Sequence, residues 1–240
     1  MAKSQFSMRR GIHDLWKSDL YVGAEFAELD NPRVLSTAAE PPKCVISWPD
    51  AKRLHKAHMR SGEENYHVNA YIHCYTDDQY FDGPREGIWA KPEQFFSAAS
   101  HFDGILGIDF SVYADFPDQL KRYQFHKMRV MEHAANYRCI QTIPNARWST
   151  PETWSYCFDA LPTNGMLAIG SVGSGLRFAL NRPLFDAGLC ELVKRKNPKC
   201  LIVVGSTNYP IFTEIAKQGI EIVQFDGETC SYFKKGQANV

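Results

Sequence analysis

Short apolar runs rich in β-branched residues recur from Cys44 onward: KCVISW, HVNAYIHCY, GILGIDFS, RCIQTIPNARW, GMLAIGSVG, KCLIVVGS and EIVQFD. Longer stretches of helical texture separate most of them. Runs that are apolar on both faces leave neither side for water, so they predict a mostly parallel sheet with helices packed over it. Residues 1–43 differ: no periodicity is sustained, and the segment ends in the proline-containing connector AAEPPK. It predicts an N-terminal arm over 1–43, with a short helix near residues 11–16, leading into a single α/β domain over 44–240.

The helix starts are punctuated alike. A residue able to cap, one spacer and a proline occur at Ser47-Trp48-Pro49, Asp115-Phe116-Pro117, Ser149-Thr150-Pro151, Asn181-Arg182-Pro183 and Asn208-Tyr209-Pro210. Ser, Asp and Asn side chains accept hydrogen bonds from first-turn amides, and proline has no amide to leave unpaired. Ser149 and Glu152 have the spacing of a capping box, and Gly219 stands where a helix would stop. Seven such strands admit two closures. One is a small or degenerate (β/α) barrel, short of the ~250 residues and eight strands usual for that fold. The other is an open doubly wound sheet. Either places ligands outside the carboxyl ends of the strands.

Composition narrows the class. Of 240 residues, 44% are apolar, enough for an ordinary core. Lys+Arg and Asp+Glu both total 27, and a net charge of zero argues against a surface built as a nucleic-acid footprint. No apolar run reaches the ~18 residues of a membrane span, and the basic start MAKSQFSMRRGIHDLW has no apolar core behind it. The expectation is a cytoplasmic protein without membrane contact. Seven cysteines, an odd number with no CxxC, predict reduced structural thiols.

Polar and aromatic groups gather where the runs end. The first run is followed by Trp48-Pro49-Asp50 and the second by Tyr75-Thr76-Asp77-Asp78. The third supplies Asp109, Ser111 and Tyr113; the fourth supplies Asn145, Arg147 and Trp148. GSVGSG contributes Ser171, Gly173, Ser174 and Gly175, GSTN contributes Gly205, Ser206 and Asn208, and the seventh run ends at Asp226-Gly227-Glu228. Asp109, Ser111 and Arg147 are the catalytic candidates. Asp109 suits a general base or a metal ligand, and equally a cap. Arg147 suits a phosphate or carboxylate through its guanidinium fork, and equally a salt bridge to a rim acid. Tyr113, Asn145, Trp148, Ser171, Gly173, Ser174, Gly205 and Ser206 are the ligand-binding candidates. Glycine lets amides approach an anion and serine adds donors, although such loops are also plain turns and neither is a P-loop nor GxGxxG. Asp77, Asp78, Asp109 and Asp226 could jointly offer oxygens to Mg²⁺, but no spacing specifies a metal, and no motif specifies a cofactor.

The stretch PDQLKRYQFHKMRVMEHAANY places Arg122, His126, Arg129 and His133 on one helix face, which reads as solvated more readily than as a nucleic-acid track. Met128 and Met131 fall on the core side. His55 and His58, and His67 and His73, lack the further ligands of a zinc site.

From about Tyr80 to Ser206 the chain resembles family 4417 of domains of unknown function, found in phages, plasmids and bacterial genomes. IDFSVYADFPDQLKRYQFHKMRV, CIQTIPNARWSTPETWSYCFDALP, LAIGSVG and LIVVGS carry the likeness. Asp109, Phe110, Ser111, Tyr113, Asp115, Pro117, Pro144, Trp148, Ser155, Cys157, Phe158 and Gly173 match the family pattern. Ile108 stands where the family tends to have proline, and Phe116 where it has methionine. The resemblance implies a phage or mobile-element setting and supplies no reaction. Two functions follow as expectations: an enzyme or binding protein for a phosphate-bearing small molecule or nucleotide, or a non-catalytic protein that engages a host or replication partner.

Overall fold

The computed structural model describes residues 16–172, 174–176 and 178–227, so residues 11–15 of the expected first helix lie outside the described residues. All seven apolar runs form strands: β1 (Val45–Ser47), β2 (Val68–His73), β3 (Phe102–Leu106), β4 (Thr142–Ile143), β5 (Met166–Gly170), β6 (Cys200–Val204) and β7 (Glu221–Phe225). Among the described residues six α-helices lie between them: α1 (Trp48–Ser61), α2 (Pro92–Ala99), α3 (Asp118–Tyr137), α4 (Trp154–Cys157), α5 (Arg182–Lys196) and α6 (Pro210–Ala216).

Every paired strand runs parallel to its neighbour, in the orders β1-β2-β3-β4 and β5-β6-β7. The two sets meet at a parallel bridge between Asn145 and Ala168. There the Ala146 amide donates to Ala168 O (2.7 Å) and the Ala168 amide to Pro144 O (2.8 Å). Strand order therefore follows chain order from end to end, whereas a doubly wound sheet reverses at a switch point. This is the order of a barrel wall. It is not a closed barrel, because β7 and β1 do not pair among the described residues.

Two apolar layers follow from strands that are buried on both sides. Outside the sheet, Ile46, Ile72, Ile105 and Val203 pack with helix residues such as Phe125, Met131 and Leu189. On the inner face, Val45, Tyr71, Leu106, Ile143, Ala168 and Ile202 form one cluster, with Val223 and Phe225 against it, so all seven strands contribute. Period-two alternation along each strand sends neighbouring side chains to opposite layers.

Proline begins helices as expected, occupying the first turn of α1, α2, α5, α6 and the 3₁₀ turn Pro151–Thr153. Of the five candidate caps only Ser47 works through its side chain, accepting from the Asp50 amide at 3.4 Å. A cap needs extended backbone to aim its oxygen. Asn181 is instead already helical (φ −92°, ψ −17°), and the N-cap positions of α3 and α6 fall on Pro117 and Tyr209. The Ser149–Glu152 capping box does not form; the Ser149 amide donates to Thr153 Oγ1 (3.2 Å). Gly219 stops its helix in the left-handed region (φ +85°) with its amide on Ala216 O.

The face of α3 that carries Arg122, His126, Arg129 and His133 is not solvated. Arg129 is 1% exposed and His133 is buried, while Arg122 alone keeps a largely exposed side chain, paired with Asp118. The chain before β1 covers the rest. Tyr21 Oη and Asn31 Oδ1 hydrogen-bond the two ring nitrogens of His126 (2.6 and 3.0 Å), and His133 Nε2 donates to Val22 O (3.1 Å). Further along, Thr37 and Thr142 exchange bonds (2.9 and 2.8 Å), and Ala38 joins the inner cluster. Met128 and Met131 are fully buried, as their spacing predicts.

His73 is wholly buried, and burial depresses its pKa to about 4; His67 is exposed beside Asp103. Cys74, Cys157 and Cys200 are buried, and burial pushes the last two thiols up to about 12. Cys44 is half-buried. Cys139 is exposed at φ +58°, outside any strand, and Cys190 is exposed on α5. Cys230 lies outside the described residues. No helix is long and apolar enough to cross a membrane among the described residues.

Candidate functional site

Because the strands are parallel and adjacent, the segments after β2, β3, β4 and β5 leave the sheet on one side, and a buried polar network ties them together. Asn145, fully buried after β4, is its hub. Its Nδ2 donates to Ile108 O (3.0 Å) and to Asp109 Oδ1 (2.9 Å), and its Oδ1 accepts from Tyr75 Oη (3.0 Å). Arg147 Nη1 donates to the other carboxylate oxygen, Asp109 Oδ2, at 2.7 Å. The salt bridge open to Arg147 from sequence is thus formed, and its other guanidinium donors have no protein partner among the described residues.

The network continues behind the sheet. The Asn145 amide donates to Glu132 Oε1 (2.8 Å), Arg129 Nη2 donates to Asn145 O, and Arg129 Nη1 lies 3.0 Å from Glu132 Oε2 without hydrogen-bond alignment. Glu132 reaches that amide because Gly107 has no side chain: a Cβ there would sit 1.8 Å from Glu132 Oε1. Gly170 serves Tyr75 similarly, its missing Cβ making room for the ring at 2.6 Å.

Burial dominates the protonation of these groups. It raises Asp109 above the ordinary carboxylate range despite the opposing effects of Arg147 and Asn145, and it raises Glu132 to about 7 against the attraction of Arg129. The Tyr75 phenol is pushed well up by burial, then by the neighbouring Asp109 carboxylate.

Two cavities open on this mouth and share a wall made of Tyr113 and Arg147. The larger, about 390 Å³, is lined by Trp148, Ser149, Ser174, Gly175 and the first turn of α5 through Asn181 and Phe185. The smaller, about 290 Å³, is lined by Thr76, Asp77, Asp78, Asp109 and Ser111. One cavity is ringed by aromatics and donors, the other by carboxylates.

The structure therefore brings Asp109, Ser111, Tyr113, Asn145, Arg147, Trp148 and Ser174 to one mouth. Ser111 is held there by Asp78, which accepts from its hydroxyl (2.9 Å) and its amide (3.3 Å). Ser171 lies beneath the loop, its carbonyl accepting from Ser174 Oγ (2.7 Å), and lines neither cavity. Gly205 and Ser206 line neither; Ser206 Oγ accepts from the Asn208 amide (3.1 Å), as in an ordinary turn. Gly173 lies outside the described residues. Asp77, Asp78 and Asp109 share the smaller cavity, which Asp226 does not line, and no group of three His, Cys, Asp or Glu side chains is placed to hold a metal among the described residues.

Sequence reasoning missed Glu132, Arg129 and Ser149. The first two look like ordinary polar positions of a helix, and their signal would have been Gly107, the break in an apolar run opposite them. Ser149 is hidden by its resemblance to a cap.

Sequential parallel strands with helices outside and a polar mouth at their carboxyl ends define an open β/α protein. The chain belongs to the family described as Domain of unknown function (DUF4417), whose model matches residues 25–226 and so takes in part of the segment before β1. It is 32% identical over 139 residues to the Gene 1 protein of Mycobacterium phage D29, covering 58% of this chain and 49% of that protein. It is 30% identical over 139 residues to the Gene 1 protein of Mycobacterium phage L5, covering 58% of each. The chain thus spans about half the length of the curated relatives it matches. No solved structure matches it.

Proposed function

We propose that the chain binds a phosphate-bearing small molecule or nucleotide at the mouth formed by the ends of β2 to β5. The observation that carries this is Arg147. A buried carboxylate fixes one of its nitrogens, and the rest of the guanidinium stands on the wall between two cavities with no protein partner among the described residues. A guanidinium pre-positioned in this way loses little freedom when an anion docks. Asp109, with both oxygens already accepting hydrogen bonds, orients Arg147; any proton transfer at Asp109 would require that pair to part.

Thermal-shift and calorimetric titration of the whole chain with nucleotides and sugar phosphates tests the proposal. Binding should be detected and should weaken at least several-fold in Arg147→Lys, which keeps the charge but loses the fork. Silence across the panel would refute it.

A second reading is a non-catalytic protein engaging a host or replication partner. Leu180 at 93% exposed and Phe178 at 54% favour it, since both are large apolar side chains on the loop beside the larger cavity. Recovery of one stoichiometric partner, lost in Leu180→Glu, is its expected outcome.

A further inference from the structure

Ser149 has the spacing of a helix cap, and its side chain caps nothing. Its amide is taken by Thr153 Oγ1, yet its own Oγ is buried without a hydrogen-bond partner, in a residue 6% exposed that lines the larger cavity. A buried hydroxyl in that condition loses its hydration and receives nothing in exchange. The hydroxyl is closed to water in this structure, so a ligand oxygen in the cavity restores the bond by drawing the Ser149 side chain toward it.

The surroundings specify what kind of oxygen. Arg147 forms part of the same wall, and α5, a fifteen-residue helix, begins there with Asn181 and Phe185 lining the cavity. Its amino end carries partial positive charge. Among the described residues Asp115 is the only carboxylate of this cavity, against Asp77, Asp78 and Asp109 in the smaller one, so an anion is drawn to the larger. Opposite charge alone would suit any phosphate. Tyr113 adds a 53% exposed ring on the shared wall, held edge-on by Phe116 at 5.1 Å, and Trp148 and Phe185 complete an aromatic lining. Such rings favour a planar partner over a sugar.

The geometry points to a nucleotide whose phosphate is seated on Ser149 Oγ, Arg147 and the amino end of α5, with its base lying against Tyr113. This rests on the phosphate-binding reading above and names the ligand class within it.

Calorimetric titration of the full chain with inorganic phosphate, ribose 5-phosphate and the common nucleoside 5′-monophosphates tests it. At least one nucleotide should bind about tenfold or more tighter than ribose 5-phosphate. Tyr113→Ala should bring the affinity for that nucleotide down to about the level of ribose 5-phosphate. Ser149→Ala should weaken every phosphate-bearing ligand by about tenfold, while its ligand-free melting temperature equals or exceeds that of the parent. Ribose 5-phosphate binding as tightly as every nucleotide overturns the inference and leaves the phosphate-binding reading standing. No binding by any phosphate-bearing ligand overturns both. A Ser149→Ala protein that melts lower and binds normally shows the hydroxyl to be structural and overturns its assigned role.

Discussion

Glu132 and Asn145 are joined across the sheet: the carboxylate of one accepts the backbone amide of the other at 2.8 Å, through the space that Gly107 leaves open. A residue on a covering helix thereby holds the backbone of the site from behind. Everything at the mouth that depends on Asn145, including Asp109 and Arg147, inherits that support.

Gly107→Ala should be costly for a purely steric reason. The position needs no left-handed backbone, but the added methyl would meet Glu132 Oε1 at 1.8 Å and the Asn145 amide nitrogen at 2.5 Å. A loss of about 2–3 kcal/mol in urea unfolding is expected. A neutral substitution would show that the two residues do not approach as described.

Glu132 makes stability fall as pH rises. Its ordinary value is 4.5 and its folded value about 7, so between these limits the folded chain keeps a proton that the unfolded chain has released. The associated stability is full below pH 4.5 and is lost on passing through 7, amounting to about 3 kcal/mol. Asp109 and Asp82, also raised by burial, add to the same slope. Glu132→Gln mimics the protonated acid, so the gap between variant and parent should move in the variant's favour from pH 5 to 8. Parallel pH profiles in urea unfolding would contradict the assignment.

Removing the hub should hurt more than removing a spoke. Tyr75→Phe deletes one donor to Asn145 and should cost about 1 kcal/mol. Asn145→Ala strands Tyr75 Oη, Ile108 O and one oxygen of Asp109 together, and should cost about 3 kcal/mol or more. Chemical unfolding of the two variants side by side ranks them, and the reverse order would dismantle the network.

His126→Ala should loosen the segment before β1 and leave the sheet intact. Both ring nitrogens of His126 bind that segment, at Tyr21 and Asn31. Limited proteolysis should cut between residues 22 and 31 several-fold faster than in the parent, with far-ultraviolet circular dichroism unchanged. Equal cleavage rates would mean that other contacts hold the segment.

The strands were legible because β1 to β6 are short apolar runs largely buried on both faces, as a covered parallel sheet requires, while β7 exposes Glu221 and Gln224 and was read from its Ile-Val core alone. Their shared polar mouth follows from parallel direction alone, which is why Asp109 and Arg147, 38 residues apart, meet. The caps were not legible. Whether Ser, Asp or Asn caps a helix depends on its own backbone angles, which composition does not fix, and only Ser47 has both the oxygen and the aim. The polar face of α3 was misleading for a different reason. His126 and His133 look solvent-directed along the helix, and what covers them comes from 95 to 111 positions away.

That separation also sets an order of events. Each strand can pair with the one just made, so the wall can grow as the chain lengthens, with every connection far shorter than the reach back to the segment before β1. Tyr21, Val22 and Thr37 must instead wait for partners 105, 111 and 105 residues downstream. The segment before β1, although made before its partners, is thus among the last to find its place.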